Sequence, residues 1–441
     1  MSATRMPRIH VQATTQLAGD SYQSLWMALL RGLAALEVAA AHARSEFFPG
    51  LAGMDHAPLA YRLLAFATGY AHQAVVVFFV ISGWLVGGSL LNKMGQPDSF
   101  KSYAIDRVSR LWTVLIPTFA LTLLIGLGTG SLRPALDFST VNSSSASAFA
   151  GNLLGLQTIL FLPFGNNYPL WSLSNETWYY LLFPLGLVCC CPGRTGARAA
   201  AALCLLLIGA LLPFPLLLYF LLWLLGAGAS RLRLECARAM RWGLFVLLAA
   251  IATYHRIAGL NDDLTLASFR QDLLLSVALV LFLACLHGKT APHQRRLRTV
   301  RVLAERLAEF SFSLYVLHVP LLHLMQSVAR PWGRARLSPF APLDYALYTA
   351  IVFTLVGSAY LFYLLFESHT YRVRRLARAW LIAPGAGPGP AAGGGAERSA
   401  AALARQAAAS GAPPPVPGAP PCALRPVHES DAGSTCDTHD K

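Results

Sequence analysis

The sequence predicts an all-α polytopic membrane protein of about ten transmembrane helices, with both termini cytoplasmic and a disordered C-terminal tail. Three observations carry this expectation. Hydrophobic residues make up 55% of the chain and charged residues 13%, roughly half the charged share of ~25% usual for soluble domains. Mean hydropathy is +0.50. Ten apolar runs of roughly spanning length are separated by short segments in which the basic residues cluster.

Residues 1–23 read as a cytoplasmic segment. They hold no short apolar stretch ending in a small-residue cleavage site, so no cleaved signal peptide is expected and the first span directs insertion. The apolar runs lie near 24–46, 71–91, 111–130, 171–191, 198–213, 215–230, 242–258, 269–287, 310–329 and 344–367. The fifth and sixth are short, and LLPFP (211–215) separates them. A single kinked helix there reduces the count to nine and puts the termini on opposite sides. Charge favours ten. With the N-terminus inside, twenty-two Lys and Arg fall in cytoplasmic segments and eight in external ones; the rest are Arg31 and four in the tail. That bias is the positive-inside pattern. Residues 131–170 form the longest external segment. Its first half, SLRPALDFSTVNSSSASA, is polar, and its second half, FAGNLLGLQTILFLPFGNNYP, is apolar enough to pack on the protein or dip into the membrane. Residues 24–375 form one membrane domain. Beyond it, residues 383–441 are rich in Gly, Ala and Pro and are predicted to be disordered.

The net charge of +14 would suit a nucleic acid, but the basic residues sit between apolar runs, so no nucleic-acid partner is expected. The eight Cys give no disulfide framework: Cys189, Cys190 and Cys191 are consecutive, Cys204 and Cys285 lie in apolar runs, and Cys422 and Cys436 lie in the tail. No metal-ligand spacing occurs, and no metal is expected.

Ionisable residues inside the apolar runs raise the functional question. The first run, RGLAALEVAAAHAR (31–44), carries Arg31, Glu37 and His42. Arg31 and His42 are eleven residues apart, three helical turns plus ~20°, so they share a face ~16 Å apart along the axis. Such groups normally face a bundle interior or a water-filled cavity. Glu37 lies ~140° from His42 on the wheel and points elsewhere. The alternative is a snorkelling Arg31 and a His42 bonded to a neighbouring helix.

Four further stretches add to this. FFVISGWLVGGS (78–89) places Ser82, Gly83, Gly87 and Gly88 where a helix or a ligand can come close. YAIDRVSRLW (103–112) puts Arg107 and Arg110 one turn apart before the third span, suited to a polyanionic phosphate ligand or to lipid headgroups. YPLWSLSNETWYYLLFP (168–184) begins at the interface with Pro169 and Trp171, then carries Glu176 in a polar patch with Ser172, Ser174 and Asn175 near the outer face. That carboxylate needs a partner: a catalytic His, a sugar hydroxyl, or an Arg. SFSLYVLHVPLL (311–322) sets Tyr315 one turn before His318, with Pro320 two residues on.

In this order, RGLAALEVAAAHAR, FFVISGWL, DRVSRLWTVLIP, PLWSLSNETWYYLLFP and FSFSLYVLHVPLL resemble the motifs of the acyltransferase-3 family of integral membrane O-acyltransferases, over roughly residues 24–375. The sequence departs from the family pattern at Glu37, at Glu176 after Asn175, and at His369 in FESHTYR (366–372).

The resemblance implies transfer of an acyl group, usually acetyl, from cytoplasmic acyl-CoA to a hydroxyl of an envelope or extracellular glycan. It implies His42 as the leading catalytic residue, Arg31 as its companion in an Arg-x10-His motif, and Arg107 and Arg110 as an Arg-x-x-Arg motif linked to the donor. Ser82 is expected beside the donor and Glu176 as the group orienting the His42 imidazole. Trp171, Ser172, Tyr315 and His318 are expected along the substrate path, and Glu367 in structure or gating. His42 can act as general base or be acylated first. A small molecule or a lipid-linked sugar as acceptor is a second reading, and a glycan or lipid transporter without CoA chemistry a third. The high Ala, Arg, Gly and Leu content suggests a bacterial inner membrane.

Overall fold

A computed structural model describes residues 8–15, 17, 19–190, 193, 195–259, 265–288 and 295–382. The tail from 383, with Cys422 and Cys436, lies outside the described residues, as do Arg5, Cys191, Arg194 and Lys289. The helices are α1 (Tyr22–Phe47), α2 (Leu59–Ala67), α3 (Ala71–Ser82), α4 (Gly88–Lys93), α5 (Ser99–Thr129), α6 (Ala146–Leu153), α7 (Leu170–Cys190) and α8 (Thr195–Leu211). They continue with α9 (Phe214–Ala229), α10 (Arg238–Ala258), α11 (Leu266–Ala284), α12 (Arg295–Glu309), α13 (Ser311–Ala329), α14 (Pro342–Leu365) and α15 (Thr370–Leu381). The fold is not purely α. Strand β1 (Arg8–Val11) pairs antiparallel with β2 (Leu232–Glu235). This ribbon ties the chain before α1 to the α9–α10 connection, and Asn92 fastens the strand's continuation at Thr15 (2.8 Å to its N–H).

Each predicted apolar run falls on a helix. Among the described residues, six helical stretches are long and apolar enough to cross a membrane, and α8 and α9 are shorter apolar helices. Separate helices, rather than one kinked helix, occupy 195–229: α8 stops at Leu211, and Pro213 caps the start of α9. The described cysteines 189, 190, 204, 236 and 285 are free thiols.

Packing contacts fix the helix directions. Arg31 approaches Ala308 and Ser311 at 3.5 Å, His42 meets His318, and Gln326 donates to the Glu46 carbonyl, so α1 and α13 run parallel. Tyr348 donates to the Ala40 carbonyl while Glu367, beyond the other end of α14, meets Ser313, so α14 runs against both. Gly83, directly after α3, and Gly226 of α9 face each other and serve helix packing. A Cβ on Gly83 would lie 1.9 Å from the Trp223 carbonyl oxygen, and one on Gly226 would lie 2.1 Å from that of Val80. The backbones of α3 and α9 therefore touch, in parallel, and the turn Gly83–Gly87 between α3 and α4 is a π-helix. Such bulges widen a helix and often border functional sites. Helix α11 starts where Asp272 meets His72 and ends where Gln23 binds the Leu283 carbonyl, so it opposes α1.

The outer segment folds onto the bundle. Helix α6 is capped by Ser145, and Phe149 and Phe164 pack on Phe119 of α5. Asn152 holds the turn through the Phe164 N–H (2.9 Å) and the Leu162 carbonyl (3.0 Å). Pro320 deprives the Val316 carbonyl of its helical partner. Asn167 supplies the missing donor at 2.8 Å and so anchors the loop beside His318.

Candidate active site

Two polar centres lie next to each other inside the bundle. The first is a cavity of about 230 Å³ between α1, α3, α5, α7 and α13. Four guanidinium groups line it: Arg31, Arg107, Arg110 and Arg374. Ser82, Ser172, Glu176, Tyr180 and Tyr315 add polar atoms, and Phe78, Phe79 and Leu85 are among the apolar ones. Arg107 sits 5.7 Å from the Tyr180 ring centre and 6.0 Å from that of Tyr103, arrangements that suit a cation on a π-face. Its buried Nε has no hydrogen-bond partner among the described residues. Arg110 faces the Phe312 ring at 5.7 Å and Glu367 at 3.9 Å. Cationic charge therefore exceeds what the cavity's carboxylates balance, as an anionic ligand requires.

The arginines lie further along the third span than the sequence indicated. Helix α5 begins at Ser99, so Arg107 and Arg110 sit two to three turns inside a continuous helix. Arg374 was not among the expected residues. It is carried by α15 and paired with Asp106 (3.3 Å), which also binds Arg378 (2.6 Å) and Lys93 (3.4 Å). An acidic residue immediately before Arg107 was the available signal, but its partners come from distant segments.

The second centre is a histidine pair. His42 Nδ1 lies 2.8 Å from His318 Nε2, with the rings stacked at a centroid distance of 5.0 Å. His318 is fully buried and directs Nδ1 at the Leu314 carbonyl, 3.3 Å away. A carbonyl only accepts, so His318 Nδ1 carries the proton and its Nε2 holds a lone pair. His42 Nδ1–H then donates to that lone pair, which leaves His42 Nε2 as a free acceptor. Tyr168 packs edge-on against His42 at 5.0 Å.

Tyr315 is the partition between the centres. It lines the cavity, its ring lies 5.9 Å from that of His318, and its hydroxyl is held by Ser172 Oγ (2.6 Å) and the Pro169 carbonyl (2.9 Å).

The other expected residues take the following positions. Glu176 is not the partner of His42; it accepts from Ser82 Oγ (2.5 Å) and from the Tyr180 hydroxyl. Ser82 also accepts from Trp223 Nε1 (3.1 Å). Arg31, three turns from His42 along α1, shares the cavity of the Arg107–Arg110 pair. Trp171 packs edge-on against Phe79 and is not in the cavity wall. Glu367 binds the Ser313 hydroxyl (2.6 Å) and N–H (3.2 Å), joining α14 to the start of α13. Glu37 accepts from the Tyr70 N–H at 2.7 Å, where a carboxylate complements the N-terminus of α3. Among the described residues no His, Cys, Asp and Glu cluster could hold a metal ion.

A family model described as an acyltransferase domain matches residues 24–378, nearly the whole helical region. The chain belongs to the acyltransferase-3 family. The chain is also 34% identical over 119 residues to an uncharacterized protein of Haemophilus influenzae. That match covers 25% of this chain and 47% of the relative, so the chain spans about half the length of the curated protein it resembles. No solved structure matches the chain.

Proposed function

We propose that this acyltransferase moves an acyl group, acetyl in the first instance, from cytoplasmic acyl-CoA to a hydroxyl of an envelope or extracellular glycan. Ten helices cross a bacterial inner membrane and both termini are cytoplasmic; the antiparallel packing of α14 against α1 and the charge bias support that topology. The observation that carries the reading is the contiguity of an arginine-lined cavity with a histidine pair whose outer member has a free imidazole nitrogen.

Arg107, Arg110 and Arg374 hold the donor's phosphates. Arg31 supports the same ligand from α1, and Ser82 and Glu176 border it with Tyr180. The pantetheine arm passes Phe78, Ser172 and Tyr315, and the Tyr315 ring moves to admit the thioester. The acceptor oxygen attacks the thioester carbonyl while His42 Nε2 takes its proton. The carbon–sulfur bond breaks, the acyl group stays on the acceptor oxygen, and the departing CoA sulfur recovers the proton from His42. His318 is a positioning residue that fixes the His42 tautomer. Glu367 holds Arg110 and the start of α13.

The test supplies labelled acetyl-CoA to membranes holding wild type or His42→Ala at equal abundance. Base-labile label in glycan is expected only with wild type. Equal labelling by the variant removes His42 from the chemistry, and CoA-independent transfer of glycan across the membrane would favour a transporter.

A further inference from the structure

Helix α15 carries two surfaces that the proposed chemistry does not use. It follows α14 after one short turn, Glu367–His369. The 24 residues of α14 extend about 36 Å, enough to cross the hydrocarbon core. Leu364 and Leu365 at its end are exposed, as lipid-facing side chains are. Helix α15 therefore begins at the level of the headgroups, on the side that the charge bias makes cytoplasmic.

Its side chains fall into three sectors, each about 100° or more from the next. Arg374 and Arg378, one turn apart, face α5. Glu367 meets Arg110 (3.9 Å), Arg374 meets Asp106 (3.3 Å) and Arg378 meets Ser102 (3.1 Å), so α15 runs antiparallel to the first turns of α5. Arg374 also lines the arginine cavity. Val373, Leu376 and Trp380 form the second sector, an apolar stripe with spacings of three and four residues. All three are exposed, Trp380 to 80%. Arg372 and Arg375 form the third. Both are exposed, and neither makes an ion pair among the described residues. Water alone would suit these arginines but not Trp380. Neutral lipid would suit Trp380 but give the arginines no net counter-charge. An anionic leaflet serves both sectors, as for a basic amphipathic helix at a membrane interface.

We infer that α15 docks on the anionic phospholipid headgroups of the adjoining leaflet, and that this docking seats Arg374 in the arginine cavity. The stripe continues the lipid-facing end of α14, and Arg372 and Arg375 meet lipid phosphates. Arg374 is carried by the same helix, and its partner Asp106 directly precedes Arg107. Movement of α15 off the surface withdraws one of the cavity's cations. The coupling rests on the acyltransferase reading, which makes that cavity the acyl-CoA site; the docking itself does not.

The test uses the full-length protein in nanodiscs of phosphatidylcholine, with or without phosphatidylglycerol of the same acyl chains. Hydrogen exchange of the amides in 370–381 reports the docking. Exchange should be up to about thirtyfold slower with phosphatidylglycerol, from two arginines at about fivefold each. Arg372→Gln with Arg375→Gln should abolish that difference, and Lys at both positions should keep it. Trp380→Ser should speed exchange in both discs. Equal exchange of the wild type in the two discs, fast or slow, leaves the face to another partner or to none. Equal slowing in neutral discs by added glycerol 3-phosphate makes the site one for a free anion. Either result overturns the inference, as does a difference that survives in the Gln pair or an unchanged rate in Trp380→Ser. Acetyl-CoA affinity tests the coupling. A negative surface by itself repels acetyl-CoA, so several-fold tighter binding in anionic discs is diagnostic for the wild type. The Gln pair should match the wild type in neutral discs and bind more weakly in anionic ones. Weaker binding by the wild type in anionic discs overturns the coupling. Absence of acetyl-CoA binding in every disc fails the acyltransferase reading instead, because hydrogen exchange needs no acyl donor.

Discussion

Replacing His318 separates positioning from chemistry. His318→Leu removes the lone pair that accepts the His42 Nδ1–H at 2.8 Å. His318 itself is fully buried, so no solvent replaces the lost partner on that side. Leaving a buried donor unsatisfied costs about 1–3 kcal/mol. If all of that appears in the barrier, kcat falls about 5- to 150-fold, at 1.36 kcal/mol per tenfold. His42→Ala removes the base itself and should lose about 10²–10⁴. His318→Gln offers a side-chain oxygen to the same N–H and should recover most of the loss. The assay is the initial rate of transfer from labelled acetyl-CoA at saturating donor, normalised to folded protein. Two results refute the assignment. If His318→Leu and His318→Gln are both as inactive as His42→Ala, His318 takes the proton directly. If neither changes kcat, the pair has no catalytic coupling.

The same geometry sets three further outcomes. Arg107→Gln removes from the proposed donor cavity a cation that no carboxylate neutralises; KM for acetyl-CoA should rise about tenfold or more by the worth of a charge-assisted contact, measured by isothermal titration alongside kinetics. Asp106→Asn should loosen Arg374, Arg378 and Lys93 together. An increase in KM for acetyl-CoA of several-fold with kcat unchanged is expected, and a fall in kcat alone would contradict a donor-side role. Gly83→Ala forces a Cβ to within 1.9 Å of the Trp223 carbonyl and should cost about 1–3 kcal/mol or more, read as a lowered melting temperature in detergent. Gly128→Ala, with nothing within 4 Å, is its control and should melt like wild type.

Period and hydropathy sufficed for the apolar helices, because a membrane span must satisfy its own backbone and present apolar side chains to lipid, but not for α2, α6, α12 and α15, which lie between or beyond the predicted runs. They did not reveal β1 and β2, whose four-residue strands lie in short polar segments and depend on each other across more than two hundred residues. Nor did they show how the outer segment folds. Its apolar residues were legible, but its anchors are Asn152 and Asn167, polar side chains that serve carbonyls elsewhere in the chain. Pro320 was visible in the sequence as a helix breaker, whereas the residue that repairs the break lies about 150 positions away.

The same distinction divides the site. Arg31, Arg107, Arg110 and His42 could be placed on helix faces because each pair is separated by a near-integral number of turns. Glu176 was assigned to His42 because both were expected near the outer face. In the structure it lies among the arginines of the cavity, where Ser82 and Tyr180 engage it. The imidazole is served instead by another imidazole, and a reason lies in the environment. A carboxylate beside His42 would place charge deep in the bundle and favour an imidazolium, which cannot accept a proton. A neutral His318 bound to the Leu314 carbonyl fixes the tautomer without adding charge. The carboxylates instead accompany arginines, Glu176 within the cavity and Glu367 beside Arg110. Charge is thus concentrated in the arginine cavity, where the proposed donor is ionic, and kept away from the histidine pair, where the proposed reaction takes a proton from a hydroxyl.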